Sequence, residues 1–358
     1  MNLARTPHHR GFIITVVWTL GLIWLGSVVH ATESSLACPD WPTCYGEWMP
    51  AMEGGIFWEH LHRLVAGGLV LIFLGATYLA WRDEGHRPWI WKVGVGGIFL
   101  LLVQSVLGGV TVIMELPTAI STAHLTLALL FLAMATVLMV GTSPAWGRRG
   151  GAKASARHSL EPDGDDRGNP GTLRRLGWAT MGVTGLVLAQ SLLGGLVRHM
   201  DAALACPDIP LCHGQWVPPL DSALIAVHYF HRIAGVLVAV AVLALAWRIL
   251  QAPVASRLRK AAYWVGALVV TQVLLGFMSV YLQLEVLTVS FHTLVAALLV
   301  TILAAAAVWL LEPAEGQGSS MEGRVAPETA VGDEGTDALA SAGEPGRLQQ
   351  RGSAGNAP

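Results

Sequence analysis

The chain has 358 residues, 53% of them hydrophobic and 13% charged, with a net charge of −2 and a mean hydropathy of +0.54. Soluble domains carry about 25% charged residues, so this composition excludes an ordinary water-soluble globule. No basic cluster is interleaved with aromatics, which excludes nucleic acid as a partner and leaves the lipid bilayer as the relevant solvent.

Apolar stretches of roughly 20 residues signal membrane-spanning helices. Eight occur, at about 12–30, 60–81, 93–113, 118–141, 177–198, 223–248, 261–282 and 287–311. They predict an all-α integral membrane protein. The N-terminal tail carries Arg5 and Arg10, and the first span follows. It is too long for a signal peptide, and Ser35-Leu36-Ala37-Cys38, which faintly resembles a lipoprotein cleavage site, has a mid-chain counterpart at Leu204-Ala205-Cys206. Loops 31–58 and 199–222 contain no lysine or arginine, whereas Arg82, Arg87, Lys92, the cations of the central loop (Arg148 to Arg175) and Arg257, Arg259 and Lys260 fall in the alternate loops. The positive-inside rule then places both termini in the cytoplasm and the two large loops outside.

The first outer loop contains Cys38-Pro39-Asp40-Trp41-Pro42-Thr43-Cys44. Outside the cell disulfides persist, and two prolines could bend so short a loop until Cys38 meets Cys44. Cys206 and Cys212 repeat the arrangement. A structural disulfide is the first reading of each pair; a redox or haem-transfer role and copper binding remain open.

The second span opens with Glu59-His60-Leu61-His62-Arg63. Histidine and arginine at the lip of an apolar run are costly in lipid and call for a ligand or partner. The third span carries Gln104-Ser105-Val106-Leu107-Gly108, and His124 lies near the start of the fourth. Segment 142–176 is rich in Gly, Pro, Arg and Asp and reads as a cytoplasmic linker.

Beyond the linker the chain repeats itself. Cys38 to Cys206 is 168 residues, His124 to His292 and Gln104 to Gln272 are also 168, and His62 to His231 is 169. One four-helix unit has been duplicated in the same direction, predicting two tandem four-helix bundles, 1–141 and 177–311, related by a pseudo-two-fold axis along the membrane normal. Gln190-Ser191-Leu192-Leu193-Gly194 extends the Gln-x-x-x-Gly pattern to the fifth span. Small residues for close helix packing, with glutamine bonding across, account for that pattern. After residue 311 the chain becomes a Gly/Ala/Glu-rich tail, 312–358, that reads as disordered and cytoplasmic.

His62, His124, His231 and His292 all fall within the first turn or two of helices running inward from the outer face, so they share a depth. Two imidazoles facing each other across a four-helix bundle can ligate a haem iron from both sides. Zinc usually gathers three or four protein ligands, more than two histidines per half supply unless the cysteines join them. Glu59 precedes His62 by three residues and shares its helix face, whereas His228 holds that place before His231. A carboxylate at one copy only points to proton transfer there, against the bland role of favouring a helix N-terminus. Arg63 and Arg232 either pair with haem propionates or snorkel to the surface.

On Glu59-x-x-His62-Arg63, His124, His231-Arg232, His292 and the Cys-Pro-Asp-Trp-Pro-x-Cys loop, residues 11–311 resemble the haem A synthase family. The resemblance implies stepwise oxidation of the C8 methyl group of haem O to a formyl group for cytochrome oxidase. It implies a substrate haem O at His62 and His124, with Glu59 assisting at the oxidised carbon, and a resident haem b at His231 and His292. It further implies a bacterial cytoplasmic (inner) membrane location, haem O synthase and oxidase assembly factors as partners, and room for self-association. Cysteine pairs in both loops belong to only part of that family, and His60 has no counterpart, its repeat mate being Tyr229. Two other functions fit the same histidines: a non-enzymatic di-haem b electron-transfer protein, or a haem carrier.

Overall fold

Prolines set several helix starts. In the computed structural model, which describes residues 6–146 and 169–312, Pro7, Pro88 and Pro170 open helices, where a missing N–H costs nothing. The described residues contain eight long helices: α1 (Pro7–Ala31), α2 (Gly54–Asp83), α3 (Pro88–Ile113), α4 (Thr118–Gly141), α5 (Pro170–His199), α6 (Ala223–Gln251), α7 (Ser256–Tyr281) and α8 (Val286–Leu311). Each is long and apolar enough to cross a membrane; a helix satisfies its own backbone in lipid, as a spanning segment must. Among the described residues there is no strand, only isolated bridges Cys44–Glu47 and Cys212–Gln215 in the two long loops.

Five helices start five or more residues before their apolar runs. α1 begins at Pro7, α2 at Gly54, α3 at Pro88, α5 at Pro170 and α7 at Ser256, because prolines, glycines and charged residues in these first turns dilute the hydropathy signal. Asn169 caps α5, its side-chain oxygen accepting from the Gly171 amide at 2.9 Å. Most of the expected linker (147–168), with Arg148, Arg149, Lys153, Arg157 and Arg167, lies outside the described residues, as do Arg5 and the tail from 313.

Helix α1 packs on α2 and α4, and α3 packs on the same two, closing a ring in which α2 and α4 are diagonal. Helices α5 to α8 form a second ring by the same contacts, with α6 and α8 diagonal, and the rings meet through α1, α4, α5 and α8. Lipid supplies little hydrophobic force between helices, so close packing and hydrogen bonds must hold them. In the first ring Phe73 contacts Phe12 and Phe131 edge-on, at centroid separations of 6.0 and 5.0 Å. Gly97 makes this possible, since a methyl group there would fall 2.6 Å from the Phe73 ring. The second ring buries Val242, Leu258, Val300 and Leu303. At the end opposite the long loops, His8 meets Glu84 at 2.9 Å, and Arg87 pairs with Glu84 and donates to the Gly141 carbonyl.

The repeat is visible in the backbone. Among the described residues the non-glycine residues with left-handed φ fall in pairs 168 apart: Glu33 and Asp201, Tyr45 and His213, Glu115 and Gln283, Leu116 and Leu284.

Candidate haem-binding centres and the loops above them

Each long loop folds back over the ends of its own helices. Cys38 is bonded to Cys44 and Cys206 to Cys212, and all four are buried. Asp40 organises the first loop. Its carboxylate accepts from the Thr43 hydroxyl and from the amides of Tyr45 (2.6 Å) and Gly46 (2.8 Å). The Thr43 hydroxyl, then the Gly46 and Tyr45 amides, hold that carboxyl below the usual aspartate range. Gly46 sits at φ +76°, where a side chain would be strained. In the second loop Asp208 accepts from the Gly214 amide in the same way.

The helix beneath clasps the loop. Arg63 donates to the carbonyls of Asp40 (2.8 Å), Thr43 (2.5 Å) and Cys38 (3.4 Å), and to Glu59. Glu59, only 4% exposed, also accepts from the Cys38 amide at 2.8 Å. Arg232 repeats this on Asp208, Leu211 and Cys206, and His228 takes the place of Glu59, meeting the Cys206 amide at 3.2 Å and Arg232 at 3.1 Å. Loop clasping is a role for both arginines that the sequence did not suggest.

Below the loops lie the histidines. His62 and His231 stand eight residues from the starts of α2 and α6, and His124 and His292 six from those of α4 and α8. These are depths of roughly 12 and roughly 9 Å. His62 and His124 are on diagonal helices of one ring and within electrostatic reach of each other; His231 and His292 are so placed in the other.

Each imidazole lies against a glycine of the preceding helix. A methyl group on Gly26, Gly108, Gly194 or Gly276 would fall 3.0, 3.3, 2.9 or 3.1 Å from Cε1 of His62, His124, His231 or His292, respectively. Real carbon contacts rarely close below about 3.5 Å, so only glycine leaves these rings room. The sequence signal was present, since 194 − 26 and 276 − 108 both equal 168. The glutamines one turn earlier bond across helices as expected, and their partners are these histidines. The amide nitrogens of Gln104 and Gln190 donate to the carbonyls of His124 and His231 at 3.0 and 2.9 Å, and that of Gln272 lies 3.2 Å from His292 Nε2. His30 and His199, not singled out from sequence, stack at 4.8 Å.

These residues suit haem. Two imidazoles per ring, on opposed helices and relieved of crowding by glycine, are the donor set of a bis-histidine iron. The Nδ1 atoms of His62 and His124 are buried with no hydrogen-bond partner among the described residues, an uncomfortable state for groups without a ligand. Among those residues the one cluster of three potential metal ligands is Cys38, Cys44 and His60, and its cysteines are joined to each other. His60 Nε2 bonds the Trp48 carbonyl at 3.0 Å, away from the paired histidines' role.

Comparison with known proteins gives the chain's family. The chain is 28% identical over 297 residues to a heme A synthase of Halalkalibacterium halodurans, covering 81% of this chain and 92% of that protein. It is 29% identical over 280 residues to one of Symbiobacterium thermophilum (78% and 87% covered) and 27% identical over 330 residues to one of Shewanella oneidensis (81% and 92%). The family model for COX15-CtaA, cytochrome oxidase assembly protein, matches residues 10–56 and 51–304, which is most of the chain, and the chain belongs to that family.

Proposed function

We propose that this protein is a haem A synthase, an oxidoreductase that converts the C8 methyl group of haem O to a formyl group through an alcohol and a hydrated aldehyde. The observation that carries the reading is the pair of glycine-seated imidazoles on diagonal helices, present once in each ring. In this reading the two rings are tandem bundles related by a pseudo-two-fold axis. His62 and His124 hold the substrate, and His231 and His292 hold a resident haem b. Both termini face the cytoplasm of a bacterial cell, and the loops lie outside its cytoplasmic membrane. Haem O synthase supplies the substrate, and oxidase assembly factors receive the product.

When bound, haem b supplies a one-electron redox centre beside the substrate site. The chain's own residues do the rest. Opposed imidazoles fix the substrate plane between diagonal helices. Glu59, three residues from His62 and on its face, takes protons released at the oxidised carbon. Arg63 holds that carboxylate in place at 2.5 Å. Arg63 and Arg232 retain a propionate-pairing role by sharing their guanidiniums between loop carbonyls and the porphyrin carboxylates. The disulfide loops cover the sites and limit water entry.

The test is product analysis. Cells expressing this chain with haem O synthase should yield haem A on extraction; haem O alone would sink the enzymatic reading and favour a carrier or electron-transfer protein. Glu59→Gln keeps an acceptor for the Cys38 amide, so haem should stay bound while conversion falls about 10²- to 10⁴-fold. Normal turnover would remove Glu59 from the mechanism.

A further inference from the structure

The two disulfide loops are not equivalent. Cys38 and Cys44 have a histidine beside them: their sulphurs and a ring nitrogen of His60 lie within 4.8 Å of one another, and all three residues are buried. The repeat mate of His60 is Tyr229, whose phenol is a poor ligand for a soft metal. His228 stands by the second pair, but its Nδ1 faces the Cys206 amide and its Nε2 faces Arg232. Among the described residues no other cluster of three such ligands occurs.

The surroundings of His60 fix its tautomer. Its Nε2 is 3.0 Å from the Trp48 carbonyl. A carbonyl only accepts, so Nε2 carries the proton and Nδ1 the lone pair. That Nδ1 is buried with no hydrogen-bond partner among the described residues, in a residue only 3% exposed. A buried lone pair left without a donor is uncommon and costly in a folded chain. The Trp48 carbonyl meanwhile orients the ring through its other nitrogen, which is how metal-ligating imidazoles are generally fixed.

We propose that reduction of the Cys38–Cys44 bond turns this corner into a copper(I) site with two thiolate ligands and His60 as the third. Opening takes a dithiol reductant at the outer face. Its two thiols pass two electrons and two protons to the Cys38–Cys44 bond and leave joined as a disulfide. The cysteine thiols then give their protons to water as copper(I) binds, and no electron moves in that second step. Around a three-coordinate ion, with bonds of about 2.3 Å to sulphur and about 2.0 Å to nitrogen, neighbouring ligand atoms stand about 3.7–4.0 Å apart. Starting within 4.8 Å of the sulphurs, the imidazole has to close in by about 1 Å at most. Two soft sulphurs and one imidazole suit copper(I), whereas zinc asks for a fourth ligand that no described residue of this cluster supplies. Cys206 and Cys212 offer two ligands only.

The experiment uses the full-length protein in detergent, reduced by a phosphine without oxygen and offered copper(I) in competition with bathocuproine. The chelator should strip any ion from the two-ligand second pair. Alkylation, with mass measured after unfolding, counts the opened cysteines. One copper per chain should survive desalting after reduction and none before it. Absorption at the copper edge should fit two sulphurs and one nitrogen. His60→Gln keeps a donor for the Trp48 carbonyl but removes the ligand. Copper affinity should then fall at least about 100-fold, the upper end of what loss of a mere supporting bond costs. His60→Tyr, which copies the second half, should match it and carries the test if His60→Gln does not accumulate. Four results would each overturn the inference: a Cys38–Cys44 bond that the phosphine leaves shut, no copper retained after reduction, copper held as tightly by the His60 variants, or zinc held in preference to copper.

Discussion

The glycines under the imidazoles provide a graded test of the proposed haem centres. An alanine methyl at position 194 would sit 2.9 Å from His231 Cε1, and one at position 108 would sit 3.3 Å from His124 Cε1. Ordinary carbon contacts lie at about 3.5–4.0 Å, so the His231 ring must retreat by about 0.6–1 Å and the His124 ring by as little as about 0.2 Å. A free side chain yields cheaply; an imidazole bound to iron cannot move without stretching that bond. Overpacking of this size costs about 1–3 kcal/mol, and about 1.4 kcal/mol is tenfold in affinity. Gly194→Ala should therefore weaken haem at His231 by roughly 5- to 100-fold. Gly108→Ala should weaken the other site only a few-fold. The control lies on the same helix: Gly182 and Gly185 have nothing within 4 Å, and alanine there favours the helix by about 0.5–1 kcal/mol. Haem per protein by pyridine haemochrome after gel filtration, with the low-spin α band, reads the outcome. A Gly194→Ala protein with full haem and an unchanged spectrum, or a Gly182→Ala protein that loses as much, would refute the reasoning.

The loop clasp should respond to which partner is left behind. Arg63→Met strands the buried Glu59 carboxylate, a loss of about 3–5 kcal/mol, whereas Arg232→Met strands a neutral imidazole and should cost about 1–3 kcal/mol. Thermal unfolding in detergent gives the order, and maleimide labelling under mild thiol reductant should expose Cys38 and Cys44 faster in the first variant; equal losses would refute it. Asp40 gives the pH dependence. Its folded pKa is depressed, so its contribution is complete above the unperturbed value of about 3.9 and fades as pH falls through the lower folded value. Hydrogen exchange at the Tyr45 and Gly46 amides should stay slow down to about pH 4 and quicken below it, and an onset near neutrality would contradict the assignment.

Hydropathy revealed the eight spans because lipid-facing and buried helix faces are both apolar, leaving the runs unbroken. It missed the first turns of α1, α2, α3, α5 and α7, where prolines, glycines and charged residues dilute the apolar signal. The repeat was legible in spacing, since a duplicated backbone duplicates its special positions. What spacing could not give was direction. Gln-x-x-x-Gly placed two residues on one helix face, but only the packed bundle shows that this face meets an imidazole. Arg63 and Arg232 were harder still, because their partners are backbone carbonyls in a loop more than 18 residues earlier, and carbonyls carry no sequence signature.

The clasp also argues for what Glu59 does. In the other half His228 lies between the Cys206 amide and the Arg232 guanidinium, two donors of which a neutral imidazole accepts from only one, yet the second loop folds over its helix as the first does. The imidazole brings no charge to bury, whereas burying an ionised acid costs several kcal/mol before its partners repay it. Since the fold closes over a weaker, uncharged acceptor in the second half, a buried carboxylate at a site only 4% exposed calls for a further purpose. Glu59→His rebuilds in the first half the arrangement already present in the second. That variant should fold, keep Cys38 and Cys44 bonded and hold haem at His62 and His124, yet leave haem O unconverted. Haem A production by Glu59→His would mean that the acid is a structural relic and that the proton leaves by another route. Collapse of the loop would mean that the two halves are less alike than their shared hydrogen bonds indicate.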